Sequence, residues 1–78
     1  MQAGIPDEAQ ELVVLWRLRK EDGIASAVVW SHAAGAELRI LADGHLVRSR
    51  VFVDLDQLIE YARAEQNRLD RRGWILSA

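Results

Sequence analysis

A chain of 78 residues has room for one domain and buries only a modest share of its surface, so a partner copy would add to a thin stability. Without cysteine it has neither a disulfide staple nor a thiolate ligand, which points to a reducing cytoplasm, and a net charge of -2 argues against attraction of the whole molecule to nucleic acid. No apolar run approaches the roughly 20 residues that cross a bilayer, and residues 1–10 lack a basic start followed by an apolar core, so neither a membrane partner nor a signal peptide is expected.

Residues 1–11, with Gly4, Pro6, Asp7, Glu8 and Glu11, read as a flexible lead-in that can hold one helical turn from Asp7; residues 12–78 read as a single domain. The segments at 12–20 (LVVLWRLRK) and 24–32 (IASAVVWSH) are rich in branched and aromatic residues and are predicted as strands. Glu21-Asp22-Gly23 and Ala33-Ala34-Gly35 read as three-residue hairpin loops whose third residue is left-handed, the place where glycine has no side chain to clash. This sets Lys20 opposite Ile24, Trp16 opposite Val28, Val14 opposite Trp30 and Trp30 opposite Leu38. Asp43-Gly44 reads as a two-residue hairpin turn that sets Ile40 against Val47, Leu38 against Ser49 and Ala36 against Val51.

Asp54 is predicted to cap a helix, with Gln57 as the reciprocal cap and Asp56 near the positive end of the dipole. Leu55, Leu58, Ile59, Ala62 and Leu69 form one apolar stripe, Gly73 stops the run, and Trp74 can fold back on Leu69. The resulting fold class is α+β: a four-stranded antiparallel meander with one C-terminal helix packed on one face, in the order ββββα.

In that register Leu12, Val14, Trp16, Leu18, Ile24, Val28, Trp30, Leu38, Ile40, Val47, Val51 and Val53 face the helix. The uncovered face then carries five arginines, Arg17, Arg19, Arg39, Arg48 and Arg50, among Val13, Leu15, Val29, Leu41, Leu46 and Phe52. Glu37 falls opposite Arg50, while Arg39 falls opposite Arg48, and like charges directly across a sheet repel unless something negative comes between them. Long arginine stems over aliphatic neighbours can make such a face an ordinary solvated one. The apolar patch is nevertheless larger than monomers usually expose, which points to a non-enzymatic module that self-associates as a homodimer, through this face or through a proline-free outer strand. The arginines also suit an acidic protein surface, and the alternative is single-stranded nucleic acid held on the same face.

Four strands followed by one helix resembles the Whirly, PC4 and PUR proteins, and the resemblance, which covers residues 12–74 as an order of elements, implies dimers or paired repeats that hold single-stranded DNA or RNA on curved sheets. The strand Trp16-Arg17-Leu18-Arg19 and a helix ending at Gly73-Trp74 are also similar to those of small uncharacterised bacterial proteins, a likeness that implies no activity.

No catalytic, cofactor-binding or metal site is expected. His32 and His45 fall at opposite ends of the sheet and have no third ligand at helical or hairpin spacing. Ser26, Ser31 and Ser49 lack a nucleophile elbow, and the five glycines form no phosphate-binding loop. Asp54 and Asp56 serve the helix start better than a carboxylate pair, and Trp16 and Trp30 read as core residues before they read as the lining of a ligand cleft. Arg63, Arg68, Arg71 and Arg72 complement the helix dipole or meet a phosphate or acidic peptide there.

Overall fold

Three hairpins in succession build one antiparallel sheet, and the computed structural model describes it over residues 9–77. The strands are β1 (Glu11–Lys20), β2 (Gly23–His32), β3 (Gly35–Ala42) and β4 (His45–Phe52), followed by helix α1 (Leu55–Asp70) and a two-residue strand β5 (Ile75–Leu76). The sheet order is β4-β3-β2-β1-β5, so the α+β meander with one C-terminal helix is as expected. Of the lead-in expected over residues 1–11, residues 1–8 lie outside the described residues. From Gln10 onward the chain is tied down: its amide donates to Ser31 Oγ at 2.9 Å and its carbonyl accepts from the Ser31 amide at 2.8 Å. β1 therefore starts at Glu11, inside the expected lead-in.

The register departs from the expected one, and the turns and bulges are the reason. Lys20 pairs with Gly23, so the first loop has two residues, with Glu21 in the left-handed region at φ 55° and Gly23 already in the strand. Gly23 is small for another reason, since a Cβ there would lie 3.3 Å from Cη2 of Trp74. The second loop is also one residue shorter than expected, with His32 opposite Gly35. Gly35 has φ 144° and backs onto the Phe52 carbonyl oxygen too closely for any Cβ.

The two short loops shift β2 by one residue against both neighbours, and a one-residue shift turns every side chain to the other face. Ala25, Ala27 and Val29 point to the helix, while Ile24, Val28 and Trp30 do not. Asp43-Gly44 forms the two-residue turn expected, with φ 54° and 82°, and Ala42 pairs with His45 and Leu41 with Leu46. A bulge at Val47 then moves the ladder by one, giving Ile40 opposite Arg48, Arg39 opposite Ser49, Glu37 opposite Val51 and Ala36 opposite Phe52. Beyond the bulge β4 is flipped as well. In β1 the extra residues are Leu12 and Leu15, and Leu15 packs on the core beside Trp16.

The core between sheet and helix consists of Trp16, Leu18, Ala25, Ala27, Val29, Leu38, Ile40, Phe52, Leu58 and Ala62. Its central row, Trp16-Ala27-Ile40 across three strands, alternates large, small and large, the arrangement that lets facing side chains interdigitate. The Trp16 indole Nε1 donates to the Ala62 carbonyl at 2.9 Å, so the largest core side chain also satisfies its one donor and joins β1 to α1.

Asp54 is the N-cap and accepts from the Asp56 amide at 2.9 Å. Leu55, expected in the apolar stripe, is 57% exposed. Tyr61, not expected there, packs against the core with its ring 5.7 Å from that of Phe52. After the helix Gly73 takes φ 97°, the Trp74 amide donates to the Leu69 carbonyl at 3.1 Å, and Lys20 Nζ donates to the Arg72 carbonyl at 2.6 Å.

Neighbouring positions in β2 test this register directly. Ala27→Leu overfills the core and lowers unfolding free energy by about 1–3 kcal/mol in a urea titration, whereas Ser26→Leu, on the other face, changes it by less than about 0.5 kcal/mol.

Candidate interaction surface

The eleven residues expected on one surface are divided between two. Arg17, Arg19, Arg39, Leu41 and Leu46 lie on the face away from the helix, by the chain of pairs Arg17-Ser26-Leu41-Leu46, Arg19-Ile24 and Val28-Arg39-Ser49. Val13, Leu15, Val29, Arg48, Arg50 and Phe52 lie on the helix side, with Val29 and Phe52 buried in the core. Arg39 and Arg48 therefore project from opposite sides, and the expected repulsion between them does not exist. The expected Glu37–Arg50 pair does not form either, because Val51 stands opposite Glu37.

Within the open face the chemistry centres on Trp30. Arg39 reaches diagonally from β3 to stack its guanidinium 4.2 Å from the Trp30 ring centroid, and its Nη2 meets Glu37 Oε1 at 3.0 Å. Its Nε is enclosed without a hydrogen-bond partner, so this arginine is held by stacking and one ion pair. Val28, flanked in the register by Val14 and Arg39, is buried even on this side. Val51 shares the Trp30 row, while Ile24, Leu41 and Leu46 lie towards the other end of the face; all four are partly or largely exposed, as are Arg17 and Arg19 along β1. Sequence reasoning placed Trp30, Ile24, Val28 and Val51 in the core; two glycine loops each read one residue too long, together with the unmarked bulge, account for the error.

On the helix side of β4, Arg48 Nη1 donates to the Tyr61 hydroxyl at 3.0 Å and to Glu65 Oε2 at 3.2 Å, while Arg68 Nη2 donates to Glu65 Oε1 at 2.8 Å. Arg50 lies over the rings of Phe52 and Tyr61, 5.0 and 5.3 Å from their centroids. The Tyr61 hydroxyl, and after it the Glu65 carboxylate, raise the pKa of the Arg48 guanidinium above its ordinary value, so it is charged at any working pH. β4 itself is exposed from His45 to Val51.

A shallow groove of about 160 Å³ between β1 and α1 is lined by Leu15, Trp16, Ile59, Ala62, Arg63 and Gln66. Among the described residues there is no buried polar or charged side chain and no group of three or more histidines and carboxylates that could hold a metal ion. His32 and His45 stand at opposite ends of the sheet, and His32 Nδ1 accepts from the Ala34 amide at 3.0 Å. Among the described residues no helix is long and apolar enough to cross a membrane.

Compared with protein-family models, curated proteins and solved structures, the chain gives no significant match in any of the three.

Removing the guanidinium above Trp30 uncovers the indole. Arg39→Ala raises the acrylamide-quenchable share of tryptophan fluorescence and lowers stability by about 0.5–1 kcal/mol; an unchanged quenching curve contradicts the stacked geometry.

Proposed function

We propose that this protein is a non-enzymatic interaction module that forms a homodimer by packing two open sheet faces together. The observation that carries the reading is the contrast between the two sides of one sheet: a single helix roofs one, while the other presents Ile24, Leu41, Leu46, Val51 and Trp30 with no element among the described residues over them. Strands of about eight residues, spaced about 4.8 Å, give this face roughly 26 Å by 14–19 Å, which with side-chain relief approaches the roughly 600–800 Å² per partner of a stable interface.

Two symmetries can bring the open faces together without setting arginine on arginine. Arg17 and Arg19 lie on β1, and the open-face residues of β4, Leu46, Ser49 and Val51, are uncharged. A two-fold axis parallel to the strands sets β1 of one copy over β4 of the other and keeps the arginines apart. An axis across the strands would set β1 over an antiparallel β1, with Arg17 and Arg19 over the Val14 and Glu11 end of the partner. Aligned packing of two sheets is also the common geometry of sandwiches.

Sedimentation or light scattering of the full chain is expected to give about twice the 8.8 kDa chain mass, and Leu41→Glu or Val51→Glu is expected to return it to one chain without unfolding. A single-chain mass across micromolar to millimolar concentration contradicts the dimer.

A second reading keeps one observation of its own. The open face carries Trp30 rather than Phe52, stacked by Arg39, with Arg17 and Arg19 farther along the same face, an aromatic and basic set suited to stacked bases of single-stranded nucleic acid. Arg39 already occupies one side of that indole, which favours self-association. Fluorescence polarisation with a labelled single-stranded oligonucleotide separates the two: the dimer reading expects no salt-dependent signal, and the nucleic-acid reading expects one that falls when Arg17 and Arg19 become alanine.

A further inference from the structure

We propose that the outer edge of β4 is a docking strand for an extended acidic segment of a different protein, which adds to the sheet beside β4 with its carboxylates on the helix side. The proposal does not depend on the dimer, which uses the open face and leaves this edge free.

β4 ends the sheet, so one row of its amide and carbonyl groups faces water, and its residues from His45 to Val51 are exposed. A strand added there alternates its side chains between the two faces with period two. On the helix side it would meet Arg48, Arg50 and Arg68: Arg48 and Arg68 share the carboxylate of Glu65, while Arg50 lies over the Phe52 and Tyr61 rings. That leaves an excess of positive charge along the edge. On the other side it would meet Leu46, Ser49 and Val51, with Val53 88% exposed just beyond. The complementary strand therefore alternates acidic and apolar residues.

A second copy of β4 does not fit the same place. Antiparallel pairing of two β4 strands brings Arg48 and Arg50 of one copy against the same pair of the other, and like charges directly across strands repel. The outer edge of β1 is taken at Arg17–Arg19 by β5 and Ser77, and its remaining stretch from Glu11 to Trp16 carries one acid, Glu11, too few to meet these arginines. The occupant is a different chain carrying the acids that this edge lacks.

The test is a ¹⁵N–¹H NMR titration of the full chain with two synthetic eight-residue peptides, matched in length to β4. One alternates Glu with Val and Thr; the other carries Lys in place of Glu. The glutamate peptide is expected to shift the amide signals of β4 and to slow exchange of those that face outward, with at least about tenfold weaker response to the lysine peptide. The double substitution Arg48→Glu, Arg50→Glu is expected to reverse that preference. If the reversal prevents folding, Arg48→Gln with Arg50→Gln is expected to abolish the preference while keeping the fold. No β4 shift at about 1 mM peptide, equal response to both peptides, or a response without any protection of β4 amides overturns the proposal. The last of these outcomes would describe simple anion binding, and the first would mean that the arginines guard the edge.

Discussion

One helix can roof one face of one sheet, and everything else in this protein depends on which face that is. α1 has 16 residues, about 24 Å at 1.5 Å per residue, close to the length of the eight-residue strands it crosses. Trp16 decides the choice. Its ring fills the core beside Ala27, and its indole proton goes to a helix carbonyl, so the sheet and α1 are joined at the widest side chain available. With Trp16 inward, Leu18 and the β3 pair Leu38 and Ile40 follow. The small residues of β2 complete the layer, and what remains on the far side is left to water or to a partner.

That choice divides the arginines by role. Arg48 and Arg50, on the helix side of β4, are engaged by Tyr61, Phe52 and Glu65 and extend the core outward along an edge that no strand covers among the described residues. Arg39, on the other side, lies flat over Trp30 and is tied to Glu37. Arg17 and Arg19 alone lie exposed on the open face without such an engagement, and their place at one side of the sheet is what makes its charge lopsided. Two surfaces follow, an apolar face with arginines along one margin and a basic edge backed by aromatic rings.

Much of the fold was legible in the sequence because local chemistry specifies it: Asp43-Gly44 for a tight turn, Asp54 for a helix start, Gly73 for a helix stop, and branched residues for the strands. The faces of β3 and of Trp16–Arg19 in β1 were legible too, since the two loop errors cancel across β2, whereas the bulges at Leu12 and Leu15 turn Val13, Val14 and Leu15 to the face opposite the expected one. β2 itself was not, because Glu21 accepts a left-handed conformation that Gly23, two residues on, makes look unnecessary. The flip of β4 comes from the bulge at Val47, and nothing in His45-Leu46-Val47-Arg48 marks an extra residue. Apolar residues alternate on both sides of β2 and β4, so pattern alone cannot tell Val28 from Val29. Tertiary packing against Trp16 and Tyr61 resolves it. The candidate surface inherited those errors residue by residue: Arg17, Arg19, Arg39, Leu41 and Leu46 stayed where the spacing put them, and Trp30 went unrecognised.

The most direct measurement is a nuclear Overhauser spectrum of the full chain, read at two arginines. The account predicts Arg39 side-chain contacts with the Trp30 ring and Arg48 contacts with the Tyr61 ring, together with backbone contacts between Arg39 and Ser49. Cross-strand contacts between the side chains of Arg39 and Arg48 would place both on one face and contradict it.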